Sequence, residues 1–82
     1  MTMGERIASL RKKNALSQAE LARRANIGQS TLHGYESGAR SAQGMSVEVA
    51  MRLAKALGVS VDYLCGMYED EEKDEHAQII AG

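Results

Sequence analysis

Proline, tryptophan and phenylalanine are all missing from this chain of 82 residues, and there is a single cysteine, Cys65. One cysteine excludes an intrachain disulfide and a cysteine-rich zinc site. The lack of proline removes the strongest helix breaker, and no alternating run rich in Val, Ile or Thr points to strands. Long apolar runs are missing too. The most apolar stretch, residues 45 to 67, is interrupted by Glu48, Arg52, Lys55 and Asp62, so it cannot span a membrane. The N-terminus runs straight into Glu5, Arg6 and Arg11-Lys12-Lys13, unlike a signal peptide. No His, Cys, Asp and Glu cluster has metal-ligand spacing, no glycine-rich loop could cradle a nucleotide, and no nucleophile sits near an evident base. Neither enzymatic activity nor a cofactor is expected. What remains is one small helical domain, expected in the cytoplasm and near the lower size limit for a single apolar core.

The formal charge of −1 hides an asymmetry. Residues 1 to 61 carry nine Lys and Arg against four Glu, a charge of +5, whereas residues 62 to 82 carry Lys73 against seven acidic residues, a charge of −6. The body is suited to phosphate and the tail is not. A boundary near residue 67 separates a domain, 1–67, from an acidic tail or linker, 68–82.

Apolar residues recur at three-four spacing, and the capping signals divide them into five helices. Thr2 with Glu5, and Ser17 with Glu20, have the spacing of capping boxes. The first helix turns Met3, Ile7 and Leu10 inward and ends at Asn14-Ala15. The second runs from Ser17 to Ala25, and Asn26 stands where the chain must turn sharply, a role that left-handed backbone suits. A third opens at Gly28 and closes before Gly38. Residues 37–45 read as a polar loop. A fourth, about Ser46 to Leu57, places Val47, Ala50, Met51, Ala54 and Leu57 on one face with Leu53 adjacent, and Gly58 stops it. Ser60 caps a short fifth helix carrying Val61, Leu64 and Cys65, which reads as a small core residue. Helix 5 with Met67 and Tyr68 is the expected dimer surface.

Helices 2 and 3 with their tight turn read as a helix-turn-helix, whose second helix is shaped for the major groove of DNA. Leu21, Ala22 and Ala25 face inward from the first of the pair, Leu32 and Tyr35 from the second. Gln29 and Ser30, at the start of helix 3, are the expected base readers. A glutamine amide matches adenine N6 and N7 with one donor and one acceptor, although exposed helix formers would look the same. His33 and Gly34 follow one turn later. His33 either contacts a base or phosphate, or is exposed and idle. Gly34 either lets the backbone approach DNA closely or is a tolerated weak helix former. Arg40 is the expected phosphate contact, with Ser37 and Ser41 beside it, while Arg23, Arg24, Lys12 and Lys13 read as solvated surface.

In order and spacing, Leu16-Ser17-Gln18-x-x-Leu21-Ala22, Ile27-x-Gln29-Ser30-Thr31-Leu32, Tyr35-Glu36-Ser37-Gly38 and Leu53-Ala54-Lys55-Ala56-Leu57-Gly58-Val59-Ser60-Val61-Asp62-Tyr63-Leu64 resemble the lambda-repressor-like (Xre/Cro type) helix-turn-helix regulators. The resemblance covers about Ile7 to Gly66. It implies an all-α, compact five-helix bundle that binds double-stranded DNA at a two-fold-related operator as a homodimer. It also implies that Gln18 binds a phosphate and braces Gln29, that Thr31 belongs to the DNA-facing set, and that an Arg11–Glu36 ion pair ties helix 1 to helix 3. Three positions depart from the family pattern: Asn26 replaces a turn glycine, the 37–45 loop lacks a proline and is longer by a few residues, and Gly34 replaces a longer side chain.

The expected function is a sequence-specific DNA-binding transcriptional regulator, most simply a repressor. The alternatives are an antitoxin-type module whose acidic tail, ending in Ile79-Ile80, holds a protein partner, or a restriction-modification controller. A solubilising tail, or a linker to a further domain, fits the same charge run.

Overall fold

Both Thr/Ser-x-x-Glu motifs close as capping boxes. Glu5 N donates to Thr2 Oγ1 (3.1 Å) while Thr2 N donates to Glu5 Oε1 (2.9 Å), which starts α1, Met3–Lys13. Ser17 and Glu20 repeat the exchange at 3.0 and 2.8 Å to start α2, Gln18–Ala25. Two N–H groups at each helix start are thereby satisfied reciprocally. The bonds that the Ser17 backbone and hydroxyl donate to it also hold the Glu20 carboxylate below its ordinary titration range. The computed structural model describes residues 1–66, in which α3 spans Gln29–Ser37, α4 Val47–Leu57 and α5 Val61–Leu64. Ser46 and Ser60 cap the last two, accepting from Val49 N and Tyr63 N. Gly38 and Gly58 end α3 and α4 in left-handed backbone, at φ 87° and 72°. Every described element is helical, and none is long and apolar enough to cross a membrane.

The core is assembled around one large, fully buried side chain from each helix: Ile7, Leu21, Leu32, Leu53 and Leu64. Each such burial is worth about 1.5–3 kcal/mol. Around them pack Met3, Leu10, Leu16, Ala25, Tyr35, Ala54 and Leu57. α2 lies against α4 and α3, α1 crosses α3, and α5 closes the bundle against α4 and α1. The α1–α3 crossing is tight: Gly4 is buried, and a Cβ there would fall within contact distance of the Tyr35 carbonyl oxygen. Arg6 is also buried, with its guanidinium carbon 5.9 Å from the centre of the Tyr63 ring.

Several sequence expectations shift. The buried stripe of α4 is Ala50, Leu53, Ala54 and Leu57, while Val47 and Met51 are 72% and 55% exposed. At about 100° per residue, the stripe centres on Leu53–Leu57 and leaves Met51 well round the helix from it. Cys65 is exposed rather than core, because α5 ends at Leu64 and the inward position is taken by Leu64. The 37–45 loop contains a 3-10 turn, Ala42–Gly44, which buries Ala42. Ala15, expected only to end α1, adopts left-handed backbone at φ 58°. Met67, Tyr68 and the acidic tail lie outside the described residues.

Candidate nucleic-acid interface

The turn between α2 and α3 is built around Asn26, whose φ of 58° and ψ of 48° are left-handed. Asparagine visits this region at lower cost than other non-glycine residues. Ile27 N then donates to Ala22 O (2.9 Å), and the chain enters α3 after Gly28. A long-range bond fixes this elbow from outside: Arg52 Nε of α4 donates to the Ala25 carbonyl at 2.7 Å. Sequence reasoning missed Arg52. Its only signal was a basic residue on the α4 flank facing an exposed helix C-terminus.

Leu32 and Tyr35 pin α3 to the core from one side. On the other side Gln29, Ser30 and His33 are exposed, one turn apart along the helix, with Thr31 and Gly34 half-buried at its margins. α3 carries no acidic residue in its first turn. Its single acidic residue, Glu36, is turned inward and neutralised. Arg11 Nε and Nη2 grip Glu36 Oε2 and Oε1 at 2.8 and 3.0 Å, with side-chain exposures of 13% and 6%. The expected Arg11–Glu36 tie between α1 and α3 is therefore present. Burial alone would push the Glu36 carboxyl up. The hydrogen bonds from Arg11 and Gln18, with the Arg11 and Lys12 charges, outweigh it and hold the group below its ordinary range. The same bond raises Arg11.

Gln18, at the start of α2, reaches across to α3. Its Nε2 donates to Glu36 Oε1 at 3.0 Å, and no hydrogen bond joins it to Gln29. An inward carboxylate with a second lone pair to fill is a stronger acceptor than an exposed amide. Ser37 is similarly occupied: its hydroxyl donates to Gly34 O and accepts from Ala39 N, both at 3.3 Å. Arg40 is exposed, and its guanidinium lies over the Tyr35 ring with the carbon 5.9 Å from the centroid. Lys12, Lys13, Arg23 and Arg24 are exposed, as expected of solvated surface. Among the described residues no group of His, Cys, Asp and Glu is placed to hold a metal ion.

An anchored second helix with an uncharged polar outer face, entered through a left-handed turn and followed by a cation, is the helix-turn-helix arrangement. The profile of the helix-turn-helix family matches residues 7–64. The chain belongs to that family. Among curated relatives of this helix-turn-helix chain, the regulator ImmR of Bacillus subtilis (strain 168) is 33% identical over 75 residues, covering 92% of this chain and 57% of ImmR. The immunity repressor of Bacillus phage phi105 is 36% identical over 78 residues, covering 95% and 51%. The chain thus spans little more than half the length of these relatives. Among solved structures, the biofilm master regulator SinR in complex with DNA superposes with a TM-score of 0.72 at 30% identity, over 77% of this chain and 97% of that one. These matches place the all-α bundle in the helix-turn-helix family and in the fold of its solved members.

Proposed function

We propose that the protein is a sequence-specific DNA-binding transcriptional repressor that engages a palindromic operator as a homodimer, with α3 in the major groove. The observation that carries this reading is the two-sided character of α3: Leu32 and Tyr35 are fixed in the core while Gln29, Ser30 and His33 face outward without internal partners. Helix and polar face together fit a groove about 12 Å wide. Gln29 reads a base edge, adenine by the complementarity of its amide, and Ser30 and His33 read or brace its neighbours. Thr31 and Gln18 flank the phosphates at the ends of α3 and α2, Ser37 shapes the following loop, and Arg40 meets a phosphate. Contacts of the last kind fix register, and base-edge contacts specify sequence. Residues 1–67 form the DNA-binding domain and 68–82 an acidic tail or linker, in a cytoplasmic protein. The repressor names and the DNA complex among its relatives support this reading.

Selection of bound sequences from a random duplex pool, with wild type and Gln29→Ala in parallel, tests it. A two-fold-symmetric motif is expected, its half-sites about 10 bp apart or a multiple of that. The variant should lose preference at one position in each half-site. The logarithm of affinity should fall with the logarithm of salt by about 0.9 per phosphate contacted. An unenriched pool would refute the reading.

A further inference from the structure

We propose that Gly34 is a positioning residue for DNA binding: its missing side chain and its carbonyl together form the seat that aims Arg40 at the phosphate backbone. A Cβ built on Gly34 would lie 3.2 Å from Arg40 Cβ, 3.9 Å from its Cδ and 4.0 Å from its Nε. The space a side chain would occupy is already filled by Arg40. Carbon atoms settle at about 3.5–4.0 Å, so a methyl at position 34 requires Arg40 to give by a few tenths of an ångström at Cβ, a shift that its long side chain carries outward. The Gly34 carbonyl holds the same loop from the other direction. It accepts Gly38 N and Arg40 N, each at 3.1 Å, and the Ser37 hydroxyl at 3.3 Å. Three donors on one carbonyl bring the chain back over the end of α3 within six residues. The Arg40 guanidinium then rests over Tyr35, whose ring is itself fixed in the core. A flexible arginine is thus held in one orientation before DNA arrives, which lowers the entropy lost on binding.

This explains why a residue unfavourable to helices stands inside the recognition helix. Gly34 accommodates a loop residue of its own chain, and the close approach it permits is between Arg40 and α3. The inference rests on the reading that Arg40 meets a phosphate.

A double-mutant cycle tests it on the duplex selected by the wild-type protein, using wild type, Gly34→Ala, Arg40→Ala and the double variant. Gly34→Ala is expected to weaken binding about three- to tenfold and to reduce the salt slope by about one, as loss of one phosphate contact does. In the Arg40→Ala background the same substitution should change affinity less than about twofold, because no guanidinium remains to be displaced. Equal losses in both backgrounds would put the Gly34 backbone itself against DNA and overturn the proposal, and so would a Gly34→Ala protein with Arg40 intact that binds as tightly as wild type. Failure of the wild type to bind any duplex would instead overturn the underlying function. A measurement without DNA guards against a variant that folds poorly. Ring-current shifts from Tyr35 on the Arg40 side-chain protons should be present in wild type and diminished in Gly34→Ala. Their absence from the wild type would refute the seat.

Discussion

Replacing Gly4 by alanine should be among the most damaging single-methyl changes available to this protein. The new Cβ would collide with the Tyr35 carbonyl oxygen and lie 3.1 Å from Tyr35 C and 3.6 Å from Glu36 Cα. All of these neighbours are backbone, so no rotamer change relieves the contact. α3 cannot retreat cheaply either. Tyr35 is buried in the core, and the two Arg11–Glu36 bonds, at 2.8 and 3.0 Å, hold α1 and α3 at their present separation. Overpacking of this kind costs about 1–3 kcal/mol, and a backbone obstacle argues for the upper end. Against this, exchanging a helix-interior glycine for alanine returns about 0.5–1 kcal/mol. The difference is a net loss of about 2 kcal/mol. For a domain of this size each kcal/mol moves the melting point by about 4–8 °C, so the expected drop is about 8–16 °C. Thermal unfolding followed by circular dichroism at 222 nm reads this directly. Gly44→Ala is the control, since its Cβ would meet nothing closer than Ser41 Oγ at 4.0 Å. A Gly4→Ala protein melting within a degree or two of wild type, or above it, would refute the argument that backbone contact sets the α1–α3 crossing.

Ala15→Gly should stabilise the protein by up to about 1 kcal/mol, because Ala15 is held at φ 58°, where a Cβ is penalised and glycine is not; an unchanged or lower urea midpoint would contradict this. Arg52→Met keeps the packing stem but removes the 2.7 Å bond to the Ala25 carbonyl, so the midpoint should fall by about 1.5–3 kcal/mol of stability without a change in slope. Glu36 is held below its ordinary range in the fold, so its contribution is complete above the unfolded value of about 4.3 and is lost as pH falls through the folded value. Melting points measured from pH 7 down to pH 3 should therefore drop more steeply below about pH 4 for wild type than for Glu36→Gln. At neutral pH that variant should be less stable by about 1.5–3 kcal/mol, the range for a charge-assisted bond, since Arg11 keeps its 2.9 Å bond to the Leu16 carbonyl and an amide oxygen still accepts from it. Parallel pH curves for the two proteins would rule out Glu36 as the acid-sensitive group.

The helix ends were legible because they depend on local chemistry. Thr2, Ser17 and Ser60 cap as their positions predict, Ser46 caps where the fourth helix was expected to begin, and Asn26, Gly38 and Gly58 all turn left-handed. A cap is satisfied within four residues, so the sequence contains both partners. Features that depend on how helices meet were less legible. Val47, Ala50, Met51, Ala54 and Leu57 form as regular a face as the one that is buried, and contact with α2, supplied only by the fold, selects the stripe through Leu53. Gly4 reads as a weak helix former until the Tyr35 carbonyl appears opposite it. Gln18 shows the same dependence at the site. Its position in the motif suggested a partner on α3, and α3 does supply one, but Glu36 rather than Gln29 receives the bond because it is the charged acceptor within reach. The exposed residues of α3 were legible for the opposite reason: once Leu32 and Tyr35 are assigned inward, helical geometry alone leaves Gln29, Ser30 and His33 outside. In this domain local rules determine which side chains are presented, and contacts that join separate elements at Arg52 and Glu36, with the proposed seat at Gly34, fix how they are held. Substitutions at those three positions should therefore change binding through orientation while leaving the presented surface chemically the same.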